Sequence, residues 1–187
     1  MALAHALLAA LIDSPCSGYD LAKRFNGSVG FFWSASYQQI YRELSKLEAQ
    51  AWINAEIIYQ ENRPDKKNYQ ITELGKAKLQ EWIAQPSEPM AFKDDLLVKI
   101  FAGYVASPAI ILAEIENHRQ IHQQRLEEYQ DIQKKGFTNP DKLDITAKYQ
   151  YLTLRNGIRY ETEWLAWCCE AIALLQDIEN EPNNSNL

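Results

Sequence analysis

A mainly α-helical chain with one small β-hairpin is the fold class that three observations predict. Apolar residues recur at steps of three and four through most of the 187 residues, the spacing of one helix face. Between about residues 55 and 71 the pattern changes to alternation around a cluster of turn-forming residues, as in a hairpin. The segment Gln85-Pro86-Ser87-Glu88-Pro89 then interrupts the helical pattern, as boundaries between domains do. The expected division is a first domain over 1–85, a linker over 86–91, a helical domain over 92–178 and a disordered tail over 179–187.

Residues 2–12 are apolar nearly all round. Such a helix needs cover on several sides, from its own domain and from a partner chain. A buried helix is expected here rather than a secretory signal, because the first Lys or Arg is Lys23 and the run is too short to cross a bilayer. Asp13-Ser14-Pro15 stops it, and Ser17 is the expected N-cap of a second helix through about Arg24. Asn26-Gly27-Ser28 breaks that helix. Phe31, Phe32 and Trp33 lead into the third helix and are expected to pack.

The third helix starts at Ser36, whose spacing to Gln39 is that of a capping box. Tyr37, Ile40, Tyr41, Leu44, Leu47 and Ala51 share one side of it, and Gln38, Gln39, Arg42, Glu43 and Lys46 share the other. Strand candidates follow at 55–60 and 68–71, joined by Asn62-Arg63-Pro64-Asp65-Lys66-Lys67, a turn with three cations at its tip. Thr72 caps a fourth helix over 73–84. Three helices, a hairpin and a helix within about 85 residues give the order of a winged helix-turn-helix.

In the second half, 92–104 form a short amphipathic helix. Ser107-Pro108 places an N-cap before proline, and a helix runs from there to about Lys135. Residues 136–140 close it, and a last helix covers 141–178. In that helix Ala147, Tyr151, Leu154, Ile158, Glu161, Leu165, Cys168, Ile172 and Leu175 alternate by four and three, a coiled-coil-like seam. A seam this long needs a partner. We expect a homodimer joined by this helix and residues 92–135, so the second half is a dimerisation domain, with the first helix also touching the partner.

Composition narrows the function. The chain is 47% hydrophobic and 24% charged, with net charge −6, which is ordinary for a globular protein. Residues 1–90 carry nine Lys and Arg against ten Asp and Glu, whereas 91–187 carry ten against fifteen. Double-stranded DNA is therefore better tolerated at the first half. Cys16, Cys168 and Cys169 have neither zinc spacing nor a disulfide framework, which suits a reducing cytoplasm. No apolar run is long enough for a membrane span. No nucleophile–base motif, glycine-rich phosphate loop or carboxylate pair is present. The expectation is a protein that is not an enzyme and takes no cofactor.

Gln38, Gln39 and Arg42 are the candidates for base edges and nearby phosphates, because amides and guanidinium match the donor and acceptor pattern of the major groove. Ser34, Ser36, Tyr37 and Tyr41 are candidates for phosphate contacts; the two tyrosines suit the inner face equally. Lys46 extends this surface, and Arg63, Lys66 and Lys67 are expected to meet phosphates or the minor groove. The competing reading is a winged-helix module for protein–protein assembly, which a wing without cations would have favoured.

His5-Ala6-Leu7-Leu8, Ser17-Gly18-Tyr19-Asp20-Leu21, Phe32-Trp33, Gln39-Ile40-Tyr41-Arg42-Glu43-Leu44, Leu47-Glu48, Trp52-Ile53, Lys67-Asn68-Tyr69 and Ile71-Thr72-Glu73-Leu74-Gly75 together carry a resemblance to the PadR family of bacterial transcriptional regulators. It is close over 3–84 and looser to about 178. It implies a dimeric regulator, a repressor by expectation, that binds an inverted-repeat operator and responds to a small aromatic or drug-like ligand or to another signal, the small aromatic effector being the expectation here. Ala51 stands where the family usually has glycine, which predicts a tighter turn or one starting a residue later.

Two further groups stand out in the second half. Glu114, His118 and His122 are spaced by four on one helix, a spacing two metal ligands can use. No further ligand pattern accompanies them, so a polar stretch in a helix seam is the expected role and no metal is assigned. Tyr151, Tyr160, Trp164 and Trp167 gather around the last helix and are the candidate pocket for an aromatic effector, with core packing as the competing role.

Overall fold

The apolar start of the chain becomes the hub of the first domain. In the computed structural model, which describes residues 2–59, 66–89 and 93–180, Ala2–Leu11 forms helix α1. Ala4, His5, Leu7, Leu8, Ala10 and Leu11 are buried. They pack against α2 (Gly18–Asn26), α3 (Tyr37–Ala49), α4 (Glu73–Ile83) and strand β3 (Lys66–Ile71). The domain itself thus supplies most of the cover that the sequence assigned partly to a partner, leaving Ala9 and Ile12 exposed. Each fully buried Leu or Ile here, such as Leu21, Ile40, Leu44 and Leu47, contributes about 1.5–3 kcal/mol.

A three-stranded antiparallel sheet completes the domain, in the order β1 (Cys16–Ser17), β3, β2 (Ile53–Ile58). β1 was not expected; it pairs Cys16 with Tyr69 and Ser17 with Asn68. The hairpin strands start two residues earlier than the alternation suggested. Ile53 pairs with Ile71 and both are buried, which fixes the register through Ile58 opposite Lys66. Lys66 and Lys67 therefore lie in a strand rather than at the tip. The tip itself, with Arg63, lies outside the described residues.

Other boundaries shift for local reasons. Ser17 caps α2 as expected, but α2 continues to Asn26, and Val29–Phe31 then forms a 3-10 turn. Val29 and Ala35 pack on the core, while Phe32 and Trp33 remain 62% and 42% exposed. The expected packing of these two aromatics is not what the fold uses.

Residues 1–90 and 91–187 are separate compact units. In the second, Asp94 caps α5 (Asp95–Phe101) by accepting from Leu96 N at 2.8 Å, so this helix is shorter than the 92–104 span expected. A 3-10 turn, Gly103–Val105, follows it. Pro108 starts α6 (Pro108–Gly136). The last helix, α7 (Ile145–Asn180), begins four residues late, because Pro140–Lys142 forms a 3-10 turn and Asp144 accepts from Ala147 N at 2.8 Å as the cap. α7 runs through residues 179 and 180, so the expected tail starts two residues too early; its residues 181–187, and Met90, Ala91 and Phe92, lie outside the described residues.

α6 and α7 pack antiparallel. Ile111 and Ile115 meet Cys168 in one apolar cluster, and Leu126 and Tyr129 meet Ile158 in another. Between them Nδ1 of His122 bonds to Glu161, both side chains being buried. Glu161 is thus the polar step in the α7 seam, and α6 of the same chain supplies its partner. Among the described residues no helix is long and apolar enough to cross a membrane.

Candidate nucleic-acid interface

The first turn of α3 is built by its own side chains. Ser36 Oγ accepts from Gln39 N at 3.2 Å, and Ser36 N donates to Gln39 Oε1 at 2.8 Å, a full capping box. The buried stripe is Ile40, Leu44 and Leu47. Gln38, Gln39, Arg42, Ser45 and Lys46 are exposed on the other face, Tyr37 and Tyr41 are exposed at the edge of the buried stripe rather than packed within it, and Ser34 and Ser36 are exposed just ahead of the helix. The cap occupies Gln39 Oε1, so its amide nitrogen is what remains to donate outward.

The two tyrosines of α3 have different surroundings. Tyr37 is 49% exposed, whereas the Tyr41 ring lies over the start of α2. A Cβ on Gly18 would sit 2.7 Å from Tyr41 Cε1, so glycine permits this approach.

The charges divide into paired and unpaired groups. Lys46 Nζ lies 2.9 Å from Glu43, Lys66 Nζ 2.9 Å from Asp20, and Lys67 Nζ 3.3 Å from Glu48. Hydrogen bonds from the Ser17 hydroxyl, at 2.6 Å, and then from Lys66 hold the Asp20 carboxyl below the usual carboxylate range. Arg42 forms no ion pair among the described residues. Exposed pairs of this kind are worth about 0–1 kcal/mol, so an incoming phosphate can take over each lysine at little cost.

The far end of α3 is tied to the hairpin and α4. Trp52 N donates to Leu47 O at 2.9 Å and Ala51 N to Glu48 O at 3.0 Å, the two bonds of a Schellman closure. Ala51 takes the left-handed conformation this closure requires, with φ 58°. The turn therefore stays at Ala51 instead of starting a residue later. Thr72 N donates to Trp52 O at 3.0 Å, and the Thr72 hydroxyl lies 2.8 Å from Ala51 O and accepts from Gly75 N at 3.0 Å. A Cβ at Gly75 would fall 2.1 Å from Trp52 O, so only glycine lets α4 approach this closely. These contacts fix the wing strands relative to the exposed face of α3.

The second unit carries a cleft of about 480 Å³ lined by Leu97, Asn156, Arg159, Tyr160, Glu163, Trp164 and Trp167. Tyr160, Trp164 and Trp167 come together there, whereas Tyr151 lies instead against Phe137, with ring centroids 5.6 Å apart. Arg159 and Glu163 were not foreseen, although their spacing from Trp164 and Trp167 places all four on one face of α7. His122 stacks on Trp164, with centroids 4.7 Å apart and planes 8° apart. Glu114 accepts from Lys99 at 2.6 Å, so the Glu114, His118 and His122 series is divided among different partners.

Comparison with known proteins finds relatives of both halves of the chain. The profile of the "Transcriptional regulator PadR-like family" matches residues 7–81, and that of "Virulence activator alpha C-term" matches 92–176. A Mycobacterium tuberculosis protein named "Probable transcriptional regulator Rv1176c" is 39% identical over 95% of this chain and 99% of its own length. The virulence activator AphA of Vibrio cholerae is 30% identical, with TM-score 0.76, covering 94% of this chain and 99% of AphA. Bacillus subtilis PadR in complex with operator DNA is 26% identical, with TM-score 0.78 and the same coverage of 94% and 99%. The same protein in complex with p-coumaric acid is 25% identical, with TM-score 0.74 over 93% of this chain and 95% of that one.

Proposed function

This chain belongs to the PadR-like family of transcriptional regulators, and we propose that it acts as a homodimer on an inverted-repeat operator, with α3 entering the major groove. It is a DNA-binding transcriptional regulator. One observation carries the assignment of α3: a capped helix presents Gln38, Arg42 and the Gln39 amide outward, while its buried stripe and both ends are fixed by the fold. Arg42 and the glutamines read base edges. Ser34, Ser36, Tyr37, Tyr41 and Lys46 hold nearby phosphates, and Arg63, Lys66 and Lys67 hold the backbone beside the site. Two copies of α3 reach half-sites about 34–36 Å apart, one helical turn of DNA.

The dimer forms through the second half, where Phe101, Tyr104, Val105, Ile145 and Tyr149 are exposed apolar or aromatic side chains beyond the α6–α7 seam. The proposed sign is repression, as in the curated relative "Negative transcriptional regulator PadR" of Bacillus subtilis, 27% identical over 92% of this chain. The proposed signal is a small aromatic effector in the cleft of Tyr160, Trp164 and Trp167, in keeping with the p-coumaric acid complex of that relative. Such a protein works in the cytoplasm beside the genome and has no catalytic task.

The test is a footprint on the DNA upstream of the gene itself. Two protected half-sites related by symmetry are expected, and wild-type protein should sediment at twice the 21.6 kDa chain mass. A monomer, or a single unsymmetrical footprint, overturns the dimeric reading. Absence of binding to any duplex transfers the winged domain to protein assembly.

A further inference from the structure

The cleft on α7 has a charge pattern that an aromatic ring alone does not explain. Arg159 and Glu163 both line it, one helical turn apart. Among the described residues neither forms an ion pair. Arginine preceding glutamate by four residues is the less favourable order for a pair within a helix, so both charges remain available at the cleft.

The aromatic wall is held in place. Trp164 stacks face to face on His122, and His122 is bonded to Glu161, which is only 3% exposed. Trp167 meets Trp164 edge-on at 85° with centroids 5.1 Å apart. The two indoles therefore form a corner with one ring face and one ring edge, a geometry that accepts a third planar ring. Its ordering is already present before a ligand arrives. The volume of about 480 Å³ falls within the range of small-molecule sites.

A plain aromatic acid on Arg159 would bring its negative charge to within about one turn, roughly 6 Å, of Glu163. A plain aromatic amine on Glu163 would face Arg159 in the same way. A ligand carrying both groups satisfies both side chains and adds no net charge to the cleft. We infer that this cleft takes an amphoteric aromatic molecule of the aromatic α-amino-acid class: the ring in the Trp164–Trp167 corner, the carboxylate on Arg159 and the ammonium on Glu163. The inference rests on the reading of the cleft as the effector site.

Three probes sharing one phenyl ring test it: L-phenylalanine, 3-phenylpropionate and phenethylamine, titrated into the full-length protein by calorimetry. L-Phenylalanine should bind at least about tenfold more tightly than either single-charge probe, as expected for one additional charge-assisted hydrogen bond. Arg159→Gln should remove the advantage over phenethylamine, and Glu163→Gln the advantage over 3-phenylpropionate. Equal affinities for the three probes, or a preference for 3-phenylpropionate that survives Glu163→Gln, overturns the proposal. So does an absence of binding by all three together with loss of the dimer in Trp167→Ala, which assigns the cleft to a second copy of the chain. Wild-type binding to upstream DNA, measured on the same preparation, separates the cases. Intact DNA binding without amphoteric preference removes this inference alone, whereas loss of DNA binding removes the regulatory reading beneath it.

Discussion

Replacing Ala51 with glycine should stabilise the protein. Ala51 closes α3 with φ 58°, and its backbone N–H donates to Glu48 O at 3.0 Å. Its side chain is exposed, so the substitution removes no packed methyl group. A left-handed conformation costs a non-glycine residue about 1–2 kcal/mol. Glycine releases that strain but adds freedom to the unfolded chain, worth about 0.4–1 kcal/mol against the folded state. The net gain is about 0.5–1 kcal/mol, or roughly 1–4 °C in Tm for a chain of this size. The assay is thermal and urea unfolding of wild type and Ala51→Gly, followed by circular dichroism. An unchanged or lower Tm would mean that Ala51 is not held left-handed or that the Schellman closure contributes nothing.

Other substitutions test other joints of the fold. Gly75→Ala puts a Cβ 2.1 Å from Trp52 O and should cost about 1–3 kcal/mol despite alanine's higher helix propensity; wild-type stability in urea would show that the α4 approach is looser than described. His122→Leu or Glu161→Leu alone leaves the partner's polar group buried and should cost about 3–5 kcal/mol, while the double replacement recovers most of the loss. Single variants no less stable than the double would remove the buried pair from the account. Asp20 is held below its usual carboxylate range, so its contribution is present above the unfolded value, about 3.9, and is lost as pH falls through the lowered folded value. The urea midpoints of Asp20→Asn and wild type should therefore differ at pH about 7, and the gap should shrink as pH falls through the lowered folded value; a gap of constant size across the acid range would contradict this.

Local signals in the sequence were readable where the chemistry is local. Ser17, Ser36 and Thr72 all cap helices with their own hydroxyls, and Pro108 starts α6. What depends on distant partners was not readable. β1 is two residues long and has no period to detect. Phe32 and Trp33 looked like core by residue type, but Val29 and Ala35 took the inward positions. The pairing of Lys66 with Asp20 joins β3 to α2, and that of Lys67 with Glu48 joins β3 to α3; nothing in either segment announces it. Similarly, His122 and Glu161 were each visible as a polar residue on its own helix, and only the antiparallel register of α6 and α7 unites them. Arg159 and Glu163 had the right spacing, but solvent-facing charges on a long helix are too common to mark a cleft without its opposite wall, which Leu97 of α5 helps to form.

Whether the exposed face of α3 selects the DNA sequence is decided by Arg42→Ala. Its affinity for the upstream region and for random duplex should be measured by fluorescence anisotropy across a salt titration, beside wild type. The expected result is a loss of about 1–3 kcal/mol on the upstream region, a much smaller loss on random duplex, and a corresponding fall in the ratio between the two. Equal losses on both sequences, or a wild type with no preference for the upstream region, would contradict it.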